Sequence, residues 1–202
     1  MPKNNSKNVK STAVYATAAD FKQIFSEDVD SLYLLCLLLT GDPNKAEKCF
    51  IEGVGESIKG SYVFMEWARS WARRTIIQCA IRLVTPREGT ATRIRTGNFE
   101  RVTDRIPLAL HAEVSAVLDL DPLERFVFVM SVLERYSDND CSLLLGRTRR
   151  DIVRARSQAM LRLVRLLRIE PNNRMDADPK VLIELTVAQH FASLGWSNGL
   201  PR

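Results

Sequence analysis

The chain has 202 residues, 46% hydrophobic and 26% charged, with a net charge of +5 and only 9 Gly. That is enough ordinary globular material for one domain or two small ones, and the weight of Leu, Ala, Arg and Glu leans toward helix. The longest apolar run, "LYLLCLLL" at 32–39, is far short of the ~20 residues a membrane span needs. The basic N-terminus lacks the apolar core of a secretory signal, so residues 1–18 read as a disordered tail on a cytoplasmic chain. Cys36, Cys49, Cys79 and Cys141 form no close pair, and with His111 and His190 isolated there is no metal-ligand spacing. The four Cys read as small buried hydrophobes.

In chain order, the spacing of Phe21, Ile24, Phe25, Val29, Leu32, Tyr33, Cys36 and Leu39 predicts one helix over Phe21–Thr40. Gly41 stops it and Asp42-Pro43 starts the next, whose apolar face holds Ala46, Cys49, Phe50, Val54 and Ile58. Gly53 and Gly55 weaken that helix by ~1 kcal/mol each. A third helix spans Val63–Val84, with Phe64, Ala68, Trp71, Ala72, Thr75, Ile76, Cys79 and Leu83 on one stripe. Trp67 and Trp71, four apart on that face, read as core. Residues 86–106 have no period and read as a linker. Helix resumes over Pro107–Leu118, and "DLDPLERFVFVMSVLERY" holds another with Leu123, Phe126, Val127, Met130 and Leu133 inward.

The stretch from Tyr136 to Met160 carries the main functional signal. Ser137-x-x-Asp140 has the form of a capping box and opens a short helix that ends at Gly146. Thr148-x-x-Asp151 repeats the device and opens a helix rich in Arg. Residues 147–168 hold eight Arg against one acid, so this segment carries +7 and leaves −2 for the rest of the chain. A local basic patch is the footprint of polyanion binding. Two helices joined at "LLLGRT" form a candidate helix-turn-helix, whose second helix enters the major groove. With Ile152 inward, Arg150, Arg154 and Ser157 point outward, and Arg147, Thr148 and Arg149 stand at the helix start. A frame rotated by one residue, with Val153, Met160, Val164 and Leu167 inward, fits the pattern as well. Arg162, Arg165 and Arg168 read as phosphate contacts or solvated charge. A last amphipathic helix over 179–194 presents Val181, Leu182, Leu185, Val187, Ala188 and Phe191, either to pack on this unit or to offer an apolar face to a partner.

The segment "LDLDPLERFVFVMSVLERYSDNDCSLLLGRTRRDIVRARSQAMLRL" resembles region four of bacterial sigma factors of the extracytoplasmic-function type, through Leu120, Arg125, Phe128, Val129, Leu133, Glu134, Ser137, Leu144, Leu145, Gly146 and Thr148. The first half is similar to region two, through "LTGD" followed by "AE" and through "EWARSWARR". The resemblance covers about Asp20–Val84 and Leu120–Arg168. It implies an all-α fold with two small helical domains: 19–85 region-two-like, and 107–170 region-four-like with the helix-turn-helix. Residues 86–106 would link them, and 171–202 would be an extension with one helix. It implies promoter DNA and core RNA polymerase as partners, and a regulatory protein as a further partner. The residues themselves offer no nucleophile motif, phosphate loop or dinucleotide fingerprint, so no cofactor, metal or catalytic residue is expected. The DNA-binding residues would be Arg147, Thr148, Arg149, Arg150, Arg154 and Ser157, and the polymerase-docking residues Glu47 and Glu52. Lys48 and Ile51 depart from the family's Asp and Gln on the docking helix, and Arg135 replaces the usual Gly before the helix-turn-helix. The alternative is a protein-interaction module that kept this fold and no longer docks on polymerase.

Overall fold

The computed structural model describes residues 15–59, 62–86, 108–169 and 179–193. The fold is all-α, with nine α-helices among the described residues. No described helix is long and apolar enough to cross a membrane. Residues 1–14, 87–107, 170–178 and 194–202, which include most of the expected tail, the linker and the C-terminal loop, lie outside the described residues.

Two helices stand where the spacing predicts one. α1 (Ala18–Glu27) and α2 (Val29–Thr40) are separated at Asp28, whose φ of −102° and ψ of 19° leave the helical region. Arg69 of the third helical stretch binds both Glu27 and Asp28, which fixes the break from outside. Apolar periodicity ran through the break because both helices bury residues on the same side. Thr17 caps α1, accepting from the Asp20 amide, and Asp20 answers to the Thr17 backbone. Just upstream, Tyr15 bridges to Phe64, and the Ala16 amide donates to the Val63 carbonyl at 2.8 Å.

α2 is buried on nearly every side. Leu32, Leu35, Cys36, Leu37, Leu38 and Leu39 are each 1% exposed or less. A helix that is apolar all round must be covered all round. α1, α3 (Pro43–Lys59) and α4 (Ala68–Val84) cover one part of its surface. α5 (His111–Leu118), α6 (Pro122–Phe128) and the π-helical turn Val129–Leu133 cover another. The halves that flank residues 87–107 in sequence thus share one apolar core through α2.

Glycines mark two close approaches. Gly41 ends α2 with φ +67°, and its amide donates to the Leu37 carbonyl at 2.8 Å. A Cβ on Gly41 would stand 2.6 Å from Nη2 of Arg125, a fully buried guanidinium of α6. On α3, a Cβ on Gly53 would stand 2.9 Å from Cγ1 of Ile76 in α4. The helical cost of Gly53 therefore secures the α3–α4 contact. Cys36, Cys49 and Cys79 are buried among these three helices, with Cys49 Sγ donating to the Ile76 carbonyl at 3.5 Å. All four Cys are free thiols, and burial pushes Cys141 up to about 12 and Cys79 up to about 11.

The predicted inward position of Trp67 and Trp71 does not hold. Trp67 is 58% exposed and Trp71 38% exposed. Helix begins at Ala68, and Met65–Trp67 is a 3₁₀ turn with three residues per turn, so the 3.6-residue stripe does not extend back to Trp67. Ala68, Ala72, Thr75 and Ile76 do face inward.

In the second half α6, α7 (Asp138–Leu145), α8 (Arg149–Leu167) and α9 (Pro179–Ser193) pack around Phe126, Phe128, Met130, Ile152, Ala159 and Leu163. Arg135, at φ +57°, follows the π turn in the left-handed region that favours Gly. α9 docks on α8 and the π turn, burying Val187 and Phe191, whose ring meets Phe128 at 5.2 Å. Leu185, expected inward, is 54% exposed. His190 is not isolated, since its Nε2 lies 2.9 Å from the Glu113 carboxylate of α5.

Candidate nucleic-acid interface

Both capping boxes read from the sequence are present. The Asp140 amide donates to Ser137 Oγ at 3.1 Å, while Ser137 Oγ meets the Asp140 carboxylate at 2.6 Å. Thr148 and Asp151 do the same at 3.2 and 2.6 Å. Gly146 turns the chain at φ +61°, and the Arg147 amide donates back to the Ser142 carbonyl at 3.1 Å. The 146–148 turn is thus held on both sides. Cys141 of α7 and Ile152 of α8 are both fully buried, so the two helices close on an apolar inner surface.

This geometry chooses between the two helical frames. Ile152, Ala155, Ala159, Met160 and Leu163 form the buried stripe of α8, while Val153 is 39% exposed. The Ile152-centred frame holds. Arg149, Arg150 and Arg154 are consequently exposed, along the first two turns of α8. Thr148 is exposed at the cap, and Ser157 is half-buried. Arg147 is also half-buried, with Nη2 donating to the Pro86 carbonyl at 3.4 Å. It faces the end of the first half, whereas Arg149, Arg150 and Arg154 are exposed. The Asp151 carboxyl is held below its ordinary range, chiefly by the Thr148 hydroxyl, with the charges of Arg154 and Arg147 adding to the effect.

Arg156 and Arg162 pair with acids of other elements. Arg156 binds Asp138 at the start of α7 and lies 3.3 Å from Glu184 of α9. Arg162, read from the sequence as a phosphate contact or solvated charge, instead reaches Asp121 and Glu124 at the start of α6, 3.3 Å from each. Spacing along one helix could not reveal either pair, because the acids come from three other elements. Arg165 and Arg168 remain exposed near the C-terminal end of α8. The acids that open the stretch are structural too: Asp138 pairs with Arg156 and Asp140 caps α7. Arg149, Arg150 and Arg154 thus place exposed positive charge at the N-terminal end of α8, where the helix dipole also favours phosphate.

Glu47 and Glu52 lie on α3 and are not brought to this surface. Glu47 is exposed; Glu52 is half-exposed, with an oxygen 3.8 Å from Lys48 Nζ. Ile51 beside them is 63% exposed. Among the described residues no group of His, Cys, Asp or Glu is arranged to hold a metal ion. What sequence reasoning missed is the exposed aromatic group around Trp67 and Trp71, together with the buried pair between Arg73 of α4 and Glu134. No family model, no curated protein and no solved structure matches the chain.

Proposed function

We propose that this chain is a DNA-binding transcription initiation factor of sigma-like type, which reads promoter DNA with α8 and associates with core RNA polymerase. The observation that carries the reading is the start of α8. A box-capped helix projects Arg150 and Arg154 into solvent on the face opposite the buried Ile152, with Arg149 exposed at its first position. A planar guanidinium can grip guanine edges or phosphate oxygens in two places at once. The flanking α7 and the held Gly146 turn fix the angle at which α8 is presented.

The test is a titration of the full chain against a preferred duplex, selected from a random pool, and against a random duplex. Affinity falls steeply as salt rises, because neutralised phosphates release counterions. Arg150→Ala and Arg154→Ala each remove about 1–3 kcal/mol of discrimination between the two duplexes. Arg165→Ala lowers both affinities about equally, as a phosphate contact does. Equal losses for all three variants leave only a nonspecific basic face and defeat the groove-reading assignment.

A second reading, a protein-interaction module that no longer docks on polymerase, is favoured by one feature. Ile51 exposes an apolar side chain on α3 beside the Lys48–Glu52 pair, where the sigma resemblance implies a polar docking surface. Retention of the full chain on immobilised core polymerase supports the first reading, and its absence supports the second.

A further inference from the structure

We propose that the aromatic cleft between α4 and the start of α7 is a binding site for a small planar aromatic ligand carrying an anionic group. The cleft has a volume of about 450 Å³ and is walled by Phe64, Trp67 and Trp71 from one half of the molecule and by Tyr136 from the other. That volume lies within the range of about 300–1,000 Å³ typical of small-molecule sites. It is too small for a helix or a folded partner. The proposal goes beyond the DNA-binding reading and does not rest on it.

The walls fix the ring chemistry. Large aromatic side chains are held exposed here rather than folded into the adjacent core. Phe64 and Trp67 meet edge to face with centroids 5.3 Å apart, and Tyr15 stacks behind Phe64 at 4.9 Å. These contacts brace the ring edges in advance, so little rotamer freedom is left to lose when a flat ligand stacks. Tyr62, on the rim, is 82% exposed at φ +75°. That conformation is an outlier for a bulky residue, and such strain collects at ligand sites.

The charge follows from Arg74. Its guanidinium lines the cleft and is exposed, and it makes no ion pair among the described residues. It lies near enough to Tyr136 to counter the upward push that burial gives the phenol. A cation stacked on Trp71 would meet this like charge, whereas a carboxylate or phosphate on a flat ring would find two parallel donors. Asp140 also lines the cleft, but one of its oxygens is engaged by Ser137 in the capping box. Ser70 supplies a further hydroxyl. Because Trp71 and Arg74 belong to α4 while Asp140 lies in the first turn of α7, a bound ligand spans the seam and bears on the first helix of the α7–α8 hairpin.

The experiment titrates the full chain by calorimetry with two anions, cinnamate and adenosine monophosphate. Each is run beside its neutral partner, cinnamamide or adenosine. Saturable one-to-one binding of either anion is expected, with the neutral partner at least about tenfold weaker, as loss of a bidentate charged contact implies. Binding of cinnamate alone identifies an aromatic carboxylate, and of the nucleotide alone a mononucleotide. Arg74→Met should reduce the anion to the affinity of its neutral partner, while Lys45→Met, on the exposed face of α3, should leave it unchanged. Trp71→Leu should abolish binding of both forms. If circular dichroism shows that Trp71→Leu has unfolded, the Arg74→Met titration decides alone. The proposal is overturned if neither anion binds, if neutral and anionic forms bind equally, or if Arg74→Met binds like wild type.

Discussion

Replacing Glu134 by Gln should destabilise the whole molecule, because this carboxylate neutralises a guanidinium that is largely withdrawn from water. Arg73 projects from α4 into the seam between the halves, and Glu134 receives it at the end of the π turn. The Arg73 Nε–Glu134 Oε2 distance is 2.7 Å, and a second N–H from Nη2 reaches Oε1. The side chains are 10% and 5% exposed, respectively. Burial works against the Arg73 charge, but the hydrogen bond and charge of Glu134 outweigh it and raise the guanidinium above its ordinary range. Removing one partner of a buried pair costs about 3–5 kcal/mol. Gln keeps one acceptor for Arg73, and Ser31 Oγ accepts another N–H at 3.1 Å, which brings the expected loss down to about 2–4 kcal/mol. Glu134→Ala should reach the upper end. The double variant Arg73→Met with Glu134→Leu should return close to wild type, since an apolar pair of similar volume avoids the desolvation altogether. Urea unfolding of the full chain gives each value by linear extrapolation. A single transition with an unchanged slope would also show that the halves unfold together. If Glu134→Gln stays within about 0.5 kcal/mol of wild type, as an exposed surface change would, the carboxylate is not buried against α4. The seam argument then falls.

Gly41→Ala should cost about 1–2 kcal/mol for the left-handed backbone alone, and more from the contact of its Cβ with Arg125, which Arg125→Met would relieve. A double-mutant cycle by urea unfolding should therefore return a coupling of about 0.5–3 kcal/mol. Thr148→Ala removes the cap of α8 and should lower stability by ~1 kcal/mol, measured by thermal unfolding, and should weaken duplex binding by fraying the turn that carries Arg149 and Arg150. The Asp151 carboxyl lies below its ordinary value of 3.8 in the folded chain, so its contribution is present above that value and fades as pH falls through the lower, folded one. Thr148→Ala should reduce that acid dependence in a pH series of melting curves. Lys48→Asp with Ile51→Gln, both exposed on α3, should leave stability within about 0.5 kcal/mol and strengthen retention on core polymerase. Weaker retention would show that the polarity assigned to this helix is wrong.

The hairpin at 137–160 was legible in the sequence because every device in it is local. A capping box needs residues three apart, a left-handed turn needs one Gly, and an exposed Arg needs a buried Ile two positions away. Ser137, Gly146 and Thr148 each declare themselves within one turn of chain, while the inward position of Ile152 was separated from the rotated frame only by the structure. Burial of the four Cys was legible for a similar reason, since residue type alone carries it. Arg162 shows where that logic stops. Its acids, Asp121 and Glu124, lie some forty residues upstream, and no period on α8 distinguishes it from Arg165.

The seam is the larger case of the same limit. Arg73 and Glu134 are 61 residues apart, and neither has an unusual neighbourhood in sequence. Arg125 stands with Glu124 as a charged interruption in "LERFVFVM", yet it is buried against Gly41 because its guanidinium also satisfies carbonyls at the end of α5. Its Nη1 lies 3.3 Å from the carbonyl oxygens of both Leu118 and Leu120. Burial pushes this Arg down to about 10, with the charge of Asp121 acting in the opposite direction. One signal of the seam did lie in the sequence. A helix covered on one face needs a single apolar stripe, but "LYLLCLLL" is apolar in every direction, and such a helix can be stable only if something covers its second side. The stripe rule accounted for Leu32, Cys36 and Leu39 and left Leu35, Leu37 and Leu38 unexplained. Those three leucines, each 1% exposed or less, required the second half to close over α2. Trp71 of the first half and Tyr136 of the second line one cleft where the halves meet.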